Sequence, residues 1–364
     1  MKHPPVHYHD YLRLNDLLNA QHLRSREVGQ PAHDEMLFIT VHQTYELWFK
    51  QILFELDSVR ESLNANPVPE RNLGTAIHRL SRIVDILKFS IGQVDILETM
   101  TPLDFLDFRD VLYPASGFQS VQFRLIETKL GLRENDRLLY NQMPFYTHLP
   151  PAQQESVKAA LEQPSLHDLV EKWLERTPFL QSKNFDFWMI YKNAVMEMLA
   201  EDRQVVEESP RLTPQEKERN LKMNDLTMTT FQSLFDRKSF EELRQAGQFR
   251  LSAPAVHAAL FIQIYRDEPI LQQPFRLLSL LLDLDEVMTS WRNRHAQMVS
   301  RMLGRKIGTG GSSGHDYLKE TADRHKIFGD FMRLATYLIP RSKIPPLPED
   351  LRQRMDFTST SSAT

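Results

Sequence analysis

The fold class of this chain is decided by residues 33–63, which read HDEMLFITVHQTYELWFKQILFELDSVRESL. The apolar residues of this stretch recur at steps of three and four, which is the spacing of one face of an α-helix. These positions are Leu37, Val41, Tyr45, Trp48, Ile52 and Leu56. The segment 64–67, Asn-Ala-Asn-Pro, follows directly and ends the predicted helix. We therefore predict one long amphipathic helix here.

Residues 73–98 repeat this pattern after a short link that contains proline. Two long helices joined in this way are typical of antiparallel neighbours in a helical bundle. Further helices are predicted over 118–130, 152–162, 166–176, 187–208, 214–235, 255–265 and 269–303. No alternating strand pattern extends beyond a few residues. We therefore predict an all-α fold, a bundle of long antiparallel helices.

The chain is not uniform along its length. Residues 133–250 are more polar and carry fewer long apolar stripes, which predicts a smaller peripheral helical lobe inserted into the bundle. The helical core with an N-terminal arm is then formed by 1–132 and 251–345. The tail, 346–364, ends in a Ser/Thr-rich stretch and is predicted to be largely disordered.

Composition excludes several classes of function. The formal net charge of −4 over 364 residues argues against nucleic acid or an anionic membrane as the main partner. No apolar run approaches the roughly 20 residues that a membrane span needs. The N-terminus lacks the apolar segment of a secretory signal, so we expect a cytoplasmic protein. Cysteine is absent, which excludes disulfides and thiolate ligands, and any metal must be held by His, Asp, Glu or Tyr.

Two histidines are candidates for chemistry. His42 lies one helical turn after Phe38 on an apolar face, where it is either a hydrogen-bonded core residue or a functional group. His295 lies near the end of the last long helix, in the sequence WRNRHAQM. A single histidine on a helix can ligate haem iron, and the alternative is a surface or capping histidine beside two arginines. No HExxH motif is present, so spacing does not support a zinc site.

Two further features leave alternatives open. The loop 308–314, GTGGSSG, is rich in glycine in a chain with only 12 glycines. This loop either allows a close backbone approach to a ligand or is a flexible linker, and it is not a phosphate-binding loop of the Walker type. Arg109 lies among Phe105, Phe108 and Phe118. Its guanidinium either binds a substrate carboxylate or pairs with a nearby aspartate.

Taken together, these stretches resemble one family, the tryptophan 2,3-dioxygenases, which are haem enzymes that open the indole ring. The resemblance is specific because the matching segments span most of the chain in the family's order. These segments are 11–18, 33–50, 108–120 and 291–314, followed by 337–341. The sequences of the inserted lobe and of the segment around Phe105 resemble those of the longer, animal-type members.

The resemblance implies a function and a set of residue roles. The expected reaction is the insertion of O2 across the C2–C3 bond of L-tryptophan to give N-formyl-L-kynurenine, the first step of tryptophan catabolism by the kynurenine pathway. The expected cofactor is one haem b per subunit, ferrous in the active state and enclosed by the bundle. The expected assembly is a homotetramer, a dimer of dimers. The matched residues are His295 as axial ligand of the iron; His42 as the distal histidine that contacts the indole N–H; Phe38 and Ser116 beside both haem and substrate; Phe105, Arg109 and Thr309 around the substrate; and Tyr11 and Leu12, which complete the pocket of a neighbouring subunit.

One position departs from the short bacterial members. Phe105 stands where those members have a tyrosine that contacts the substrate carboxylate, so we expect Arg109 and Thr309 to hold that group. Two other hypotheses compete with the dioxygenase. One is a haem indole monooxygenase on the same fold that acts on a substituted tryptophan. The other is a helical scaffold that has lost catalysis.

Overall fold

The computed structural model describes residues 3–137, 144–147, 149–182, 184–304, 320–321 and 324–356. Its described helices, numbered in chain order, are α1 (Tyr8–Tyr11), α2 (Leu14–Leu18), α3 (Arg24–Glu27), α4 (Glu35–Leu63), α5 (Glu70–Leu97), α6 (Pro102–Arg109), α7 (Val121–Leu130), α8 (Pro151–Leu161), α9 (Leu166–Leu174), α10 (Phe187–Glu208), α11 (Pro214–Phe235), α12 (Arg237–Gln245), α13 (Ala253–Ile264), α14 (Gln272–Leu303), α15 (Gly329–Arg333) and α16 (Glu349–Met355). Short 3-10 turns lie at Asp110–Leu112, Gly117–Gln119, Glu134–Asp136, Pro269–Leu271, Leu334–Tyr337 and Arg341–Lys343. The all-α prediction is confirmed.

The only strands in the described part of the chain are β1 (Gln181–Ser182) and β2 (Phe185–Asp186). They pair antiparallel, with Gln181 opposite Asp186 and Ser182 opposite Phe185. Every helix predicted from the sequence is present, with its ends within three residues of the predicted bounds.

Capping residues explain where several helices begin. In α6, the Thr101 hydroxyl accepts the Asp104 N–H, and the Asp104 carboxylate accepts the Thr101 N–H in return. Pro102 follows at the first helical position, where its missing N–H costs nothing. The same arrangement of Thr213, Pro214 and Glu216 begins α11.

The chain divides into two compact units. One consists of residues 1–57, 82–163 and 286–326, and the other of residues 58–81, 164–285 and 327–364. Three of the five boundaries between these units fall within α4, α5 and α14. They do not coincide with the lobe predicted over 133–250, so a core with an inserted lobe stays a prediction.

The unit that contains residues 164–285 has an unusually apolar helix. Helix α13 carries apolar residues all around its circumference, and Ala255, Val256 and Ala258 through Ile262 are fully buried. A helix of this kind is buried on all sides. Buried carboxylates bind neighbouring backbone in the same unit. Asp330 accepts the N–H groups of Arg250 and Leu251 at 2.7 and 2.6 Å.

The predicted tail from residue 346 is partly folded. Helix α16 lies within it, and Leu351 and Met355 of this helix are buried in the core. The prediction of disorder was therefore wrong for 349–355, because two apolar residues one turn apart give this short helix a face to bury. The Ser/Thr-rich end, 357–364, lies outside the described residues. Each described helix is too short or too polar to cross a lipid bilayer.

Candidate active site

A cavity of about 560 Å³ lies within the unit formed by 1–57, 82–163 and 286–326. Its volume falls within the range of roughly 300–1,000 Å³ that is common for small-molecule and cofactor sites. Most of the lining side chains are apolar or aromatic. The predicted site residues that line it are Phe38, His42, Phe105, Arg109, Ser116 and His295. Residues that the sequence left scattered over more than 250 positions therefore share one cavity.

Helix α4 contributes one wall. Phe38, His42, Tyr45 and Phe49 are spaced by four, three and four residues, so they project from the same face of the helix. The rings of Phe38 and His42 have centroids 4.1 Å apart, and His42 meets Tyr45 edge to face at 6.2 Å. This packing fixes the plane of the His42 imidazole.

One hydrogen bond determines which nitrogen of His42 carries the proton. The Nδ1 atom of His42 lies 2.7 Å from the backbone carbonyl oxygen of Phe38. A carbonyl oxygen only accepts, so Nδ1 is the protonated donor and Nε2 is left as an acceptor. Burial lowers the pKa of His42, an effect that the Phe38 carbonyl and Glu46 oppose. His42 is therefore a neutral hydrogen-bond acceptor at neutral pH.

Helix α6 carries the aromatic and cationic part of the cavity. Phe105 and Arg109 are four residues apart, so the capped start of this helix places both on the face that lines the cavity. The Phe105 ring lies 5.7 Å from that of Phe38 and 5.4 Å from that of Phe108. The guanidinium of Arg109 is thus presented beside a cluster of three phenyl rings.

Ser116 follows on a tight turn that its own side chain stabilises. Its hydroxyl accepts the N–H of Phe118 at 3.4 Å, and the Gln119 side chain accepts the N–H of Ser116 at 3.2 Å. These bonds form a capping box for the turn Gly117–Gln119. Ser116 and Phe118 both line the cavity.

Helix α14 supplies His295. Trp291, His295, Met298 and Met302 recur at helical spacing and line the cavity together. The Trp291 indole is stacked parallel to the His295 imidazole, with an angle of 8° between the rings and centroids 6.1 Å apart. Burial and, to a smaller extent, the nearby His42 lower the pKa of His295 to about 4. His295 is therefore a neutral imidazole with a free ring nitrogen, the form in which histidine binds a metal.

A cluster of buried charged residues borders the same cavity, and it was not predicted from the sequence. Glu127 accepts hydrogen bonds from Arg124, Arg137 and Arg292 at 3.0, 2.8 and 2.8 Å. The Nδ1 atom of His325 lies 3.8 Å from the same carboxylate. Arg124, Glu127, Arg292 and His325 all line the cavity. Arg124 and Glu127 lie one turn apart on α7, so the sequence alone could have indicated an ion pair between them. No nearby residue in the sequence indicates that Arg292 joins this pair.

Two of the predicted residues, Tyr11 and Leu12, are not among the described residues that line the cavity. Tyr11 and Leu12 lie on the N-terminal arm, where their side chains are 72% and 40% exposed. Helices α1 and α2 of this arm bury no residue. Thr309 and the rest of the loop 308–314 lie outside the described residues.

Comparison with known proteins identifies the family. The model of the tryptophan 2,3-dioxygenase family matches residues 2–338. This chain belongs to the tryptophan 2,3-dioxygenase family. Proteins named tryptophan 2,3-dioxygenase match it at 63% identity in Bdellovibrio bacteriovorus, covering 98% of this chain and 99% of the relative. The one from Anopheles gambiae is 46% identical and covers 98% of this chain and 91% of the relative. Bacterial and animal members of this family thus match along nearly their full length.

The tryptophan 2,3-dioxygenase family is haem-dependent, and the residues present fit that group. A planar apolar cofactor needs a large cavity with aromatic walls and one open nitrogen ligand, which the cavity and neutral His295 provide. Within the described residues there is no group of three or more His, Asp or Glu that could hold a bare metal ion. The cavity and its single neutral histidine are therefore compatible with a haem held by one protein ligand.

Proposed function

We propose that this chain is a haem-dependent oxidoreductase that inserts both atoms of O2 across the indole C2–C3 bond of L-tryptophan and yields N-formyl-L-kynurenine. The observation that carries the proposal is the placement of neutral His295, the acceptor His42 and the cationic Arg109 in one apolar cavity. The full-length match to relatives named tryptophan 2,3-dioxygenase supports it.

His295 would hold haem b through its ring nitrogen. Haem, when bound, supplies the O2 and electron-transfer chemistry of the reaction. The parallel stacking of Trp291 restricts rotation of the imidazole, so the ligand is oriented before the cofactor binds. The apolar side chains around it, Met298 and Met302 among them, exclude water from the reacting atoms.

His42 orients the substrate. Its Nε2 accepts a hydrogen bond from the indole N–H, because Nδ1 is committed to the Phe38 carbonyl. Phe38 and Phe105, with centroids 5.7 Å apart, form an aromatic surface against which an indole ring packs. Holding the ring in one orientation contributes by proximity and not by proton abstraction. His42 is thus an orienting acceptor.

Arg109 recognises the other end of the substrate. A guanidinium binds a carboxylate through two parallel hydrogen bonds, and these bonds are stronger beside phenyl rings than in water. The carboxylate of L-tryptophan therefore distinguishes it from tryptamine. Ser116 and Thr309 complete the polar end of the site in this proposal, and Ser116 and Phe38 would also help to hold the haem.

The N-terminal arm completes the site from another subunit. Tyr11 and Leu12 are exposed in the single chain, and the two helices beside them, α1 and α2, bury no residue, which leaves their apolar surface available to a partner. We propose that the active protein is a homotetramer in which each arm reaches a neighbouring cavity.

The test of the function is a product measurement. Purified protein is loaded with haem, reduced and given L-tryptophan under ¹⁸O2, and the product mass is recorded. A product that carries two ¹⁸O atoms supports the dioxygenase. A product with one ¹⁸O atom would favour the monooxygenase hypothesis instead. Haem-loaded protein that gives no product would favour the hypothesis of a helical scaffold without catalysis.

A further inference from the structure

The cluster around Glu127 contains more positive than negative charge. Its carboxylate is 1% exposed and contacts the side chains of Arg124, Arg137 and Arg292, which are 11%, 3% and 4% exposed. Among the described residues, Glu127 is the only carboxylate within salt-bridge distance of these three guanidiniums. One negative charge therefore faces three positive charges.

All four groups are ionised. Burial alone would raise the pKa of Glu127, but His325 and the three guanidiniums hold it well below its usual range. Burial lowers the pKa of Arg137, an effect that Glu127 opposes, and arginine keeps its proton in proteins at neutral pH. The cluster thus has an excess of two positive charges. Buried charge is costly unless a counter-charge meets it, so an anion is expected nearby.

Two of the three arginines that carry the excess positive charge face the cavity. Arg137 does not line the cavity, since its guanidinium lies 3.8 Å over the Phe145 ring and donates to Thr128. Arg124 and Arg292 both line it. Arg292 uses Nη2 on Glu127 and Nη1 on the carbonyl of His325. Arg124 uses only Nη1, on Glu127, among the described residues. Arg124 therefore has further N–H groups at the cavity wall.

We propose that Arg124 binds a carboxylate of the cofactor, the propionate side chain of haem, and that Glu127 is the positioning residue that orients Arg124 and Arg292 for it. This inference rests on the proposed function. Haem b carries two carboxylates, which match the excess of two positive charges. L-Tryptophan is a zwitterion whose ammonium group offsets its single carboxylate. Binding of the substrate alone would therefore leave the excess positive charge of the cluster unbalanced.

The test compares two porphyrins in the full chain. The apo-protein is titrated with ferric protoporphyrin IX and with its dimethyl ester, in which both carboxylates are blocked, and absorbance gives each Kd. The variants are Arg124→Gln and Arg124→Lys. Arg133→Gln is the matched control, because Arg133 belongs to an exposed pair with Asp136. Circular dichroism establishes that each variant is folded.

The free acid and the ester separate charge recognition from packing. We expect Arg124→Gln to weaken binding of the free acid by about 10-fold or more, as the loss of a charge-assisted hydrogen bond predicts. Binding of the ester should change by less than about twofold, because the ester has no carboxylate to lose. Arg124→Lys should lose less than Arg124→Gln, and Arg133→Gln should match the unaltered protein.

Further outcomes decide against the inference. Equal losses for both porphyrins would assign Arg124 to packing, and no loss for either would show that Arg124 does not contribute to porphyrin binding. Either result would overturn the inference while the proposed function stands. Failure of the unaltered protein to bind either porphyrin would overturn both. A second readout is L-tryptophan affinity at saturating haem, which Arg124→Gln should leave unchanged and Arg109→Gln should weaken. The reverse pattern would assign Arg124 to the substrate.

Discussion

The Nδ1 atom of His42 donates a hydrogen bond to the carbonyl oxygen of Phe38, and the rings of the same two residues lie 4.1 Å apart at an angle of 34°. One residue thus sets both the tautomer and the ring plane of the other. Because both contacts lie within one turn of α4, they exist before any ligand binds. The cavity therefore presents a fixed hydrogen-bond acceptor, and binding need not reorganise it.

His42→Ala should separate orientation of the substrate from cofactor binding. We expect this variant to keep its haem spectrum and to lose about 10-fold in kcat/KM for L-tryptophan, since one hydrogen bond is removed. The matched substrate is 1-methyltryptophan, which lacks the indole N–H. The unaltered protein should discriminate against it, and His42→Ala should discriminate much less. If His42→Ala discriminated against 1-methyltryptophan as strongly as the unaltered protein, Nε2 of His42 would not accept a hydrogen bond from the indole N–H.

The pH profile should follow the pKa of His42. An acceptor must be unprotonated, and burial holds the pKa of His42 below its ordinary value of 6.5. The neutral form therefore persists as the pH falls through 6.5, and any loss of kcat/KM due to His42 should begin only below that pH. The measurement is kcat/KM between about pH 5 and about pH 8, a range in which few other side chains titrate. An acid limb at or above 6.5 that vanishes in His42→Gln would contradict the account.

Arg109→Gln should abolish the preference for an amino acid. We expect kcat/KM for L-tryptophan to fall about 100-fold, because a site built around a charged group loses that much when the pair is broken. Tryptamine, which has no carboxylate, should react almost equally with both proteins. Steady-state rates with the two substrates give the ratio. If tryptamine lost as much as L-tryptophan, Arg109 would support the fold of the site and not bind the carboxylate.

The proposal that the N-terminal arm is shared between subunits predicts complementation between two inactive variants. Tyr11→Ala damages only the arm, and His295→Ala damages only the cavity, so a mixed tetramer contains cavities with intact His295 served by an intact Tyr11. Co-expression should therefore yield activity that neither variant has alone. Two copies of Tyr11→Ala with different tags are the control. If each arm served its own cavity, the mixed protein would be as inactive as its parents.

Helical periodicity predicted the helices that carry this site, and the family resemblance supplied the expected roles of its residues. A spacing of four places Phe38 and His42 on one face of α4, and Trp291 and His295 on one face of α14. Short helices such as α12, RKSFEELRQ, were not predicted, because nine residues with only two apolar positions are too few to show a repeating pattern. The partnership of Glu127 with Arg292 was also missed. It joins residues 165 positions apart, and a local pattern carries no information about such pairs.

The central claim is that His295 holds the cofactor, and imidazole rescue tests it most directly. His295→Gly leaves a gap of the shape of an imidazole in the cavity wall. His257→Gln is the matched control, because burial also lowers the pKa of His257 to about 4, but His257 lies in the other unit and does not line the cavity. Anaerobic absorption spectra are recorded after haem loading and reduction, with and without added imidazole. We predict that His295→Gly loses the spectrum of a histidine-ligated haem, that imidazole restores it, and that His257→Gln retains it. A normal spectrum in His295→Gly without imidazole would contradict the assignment of His295 as the ligand.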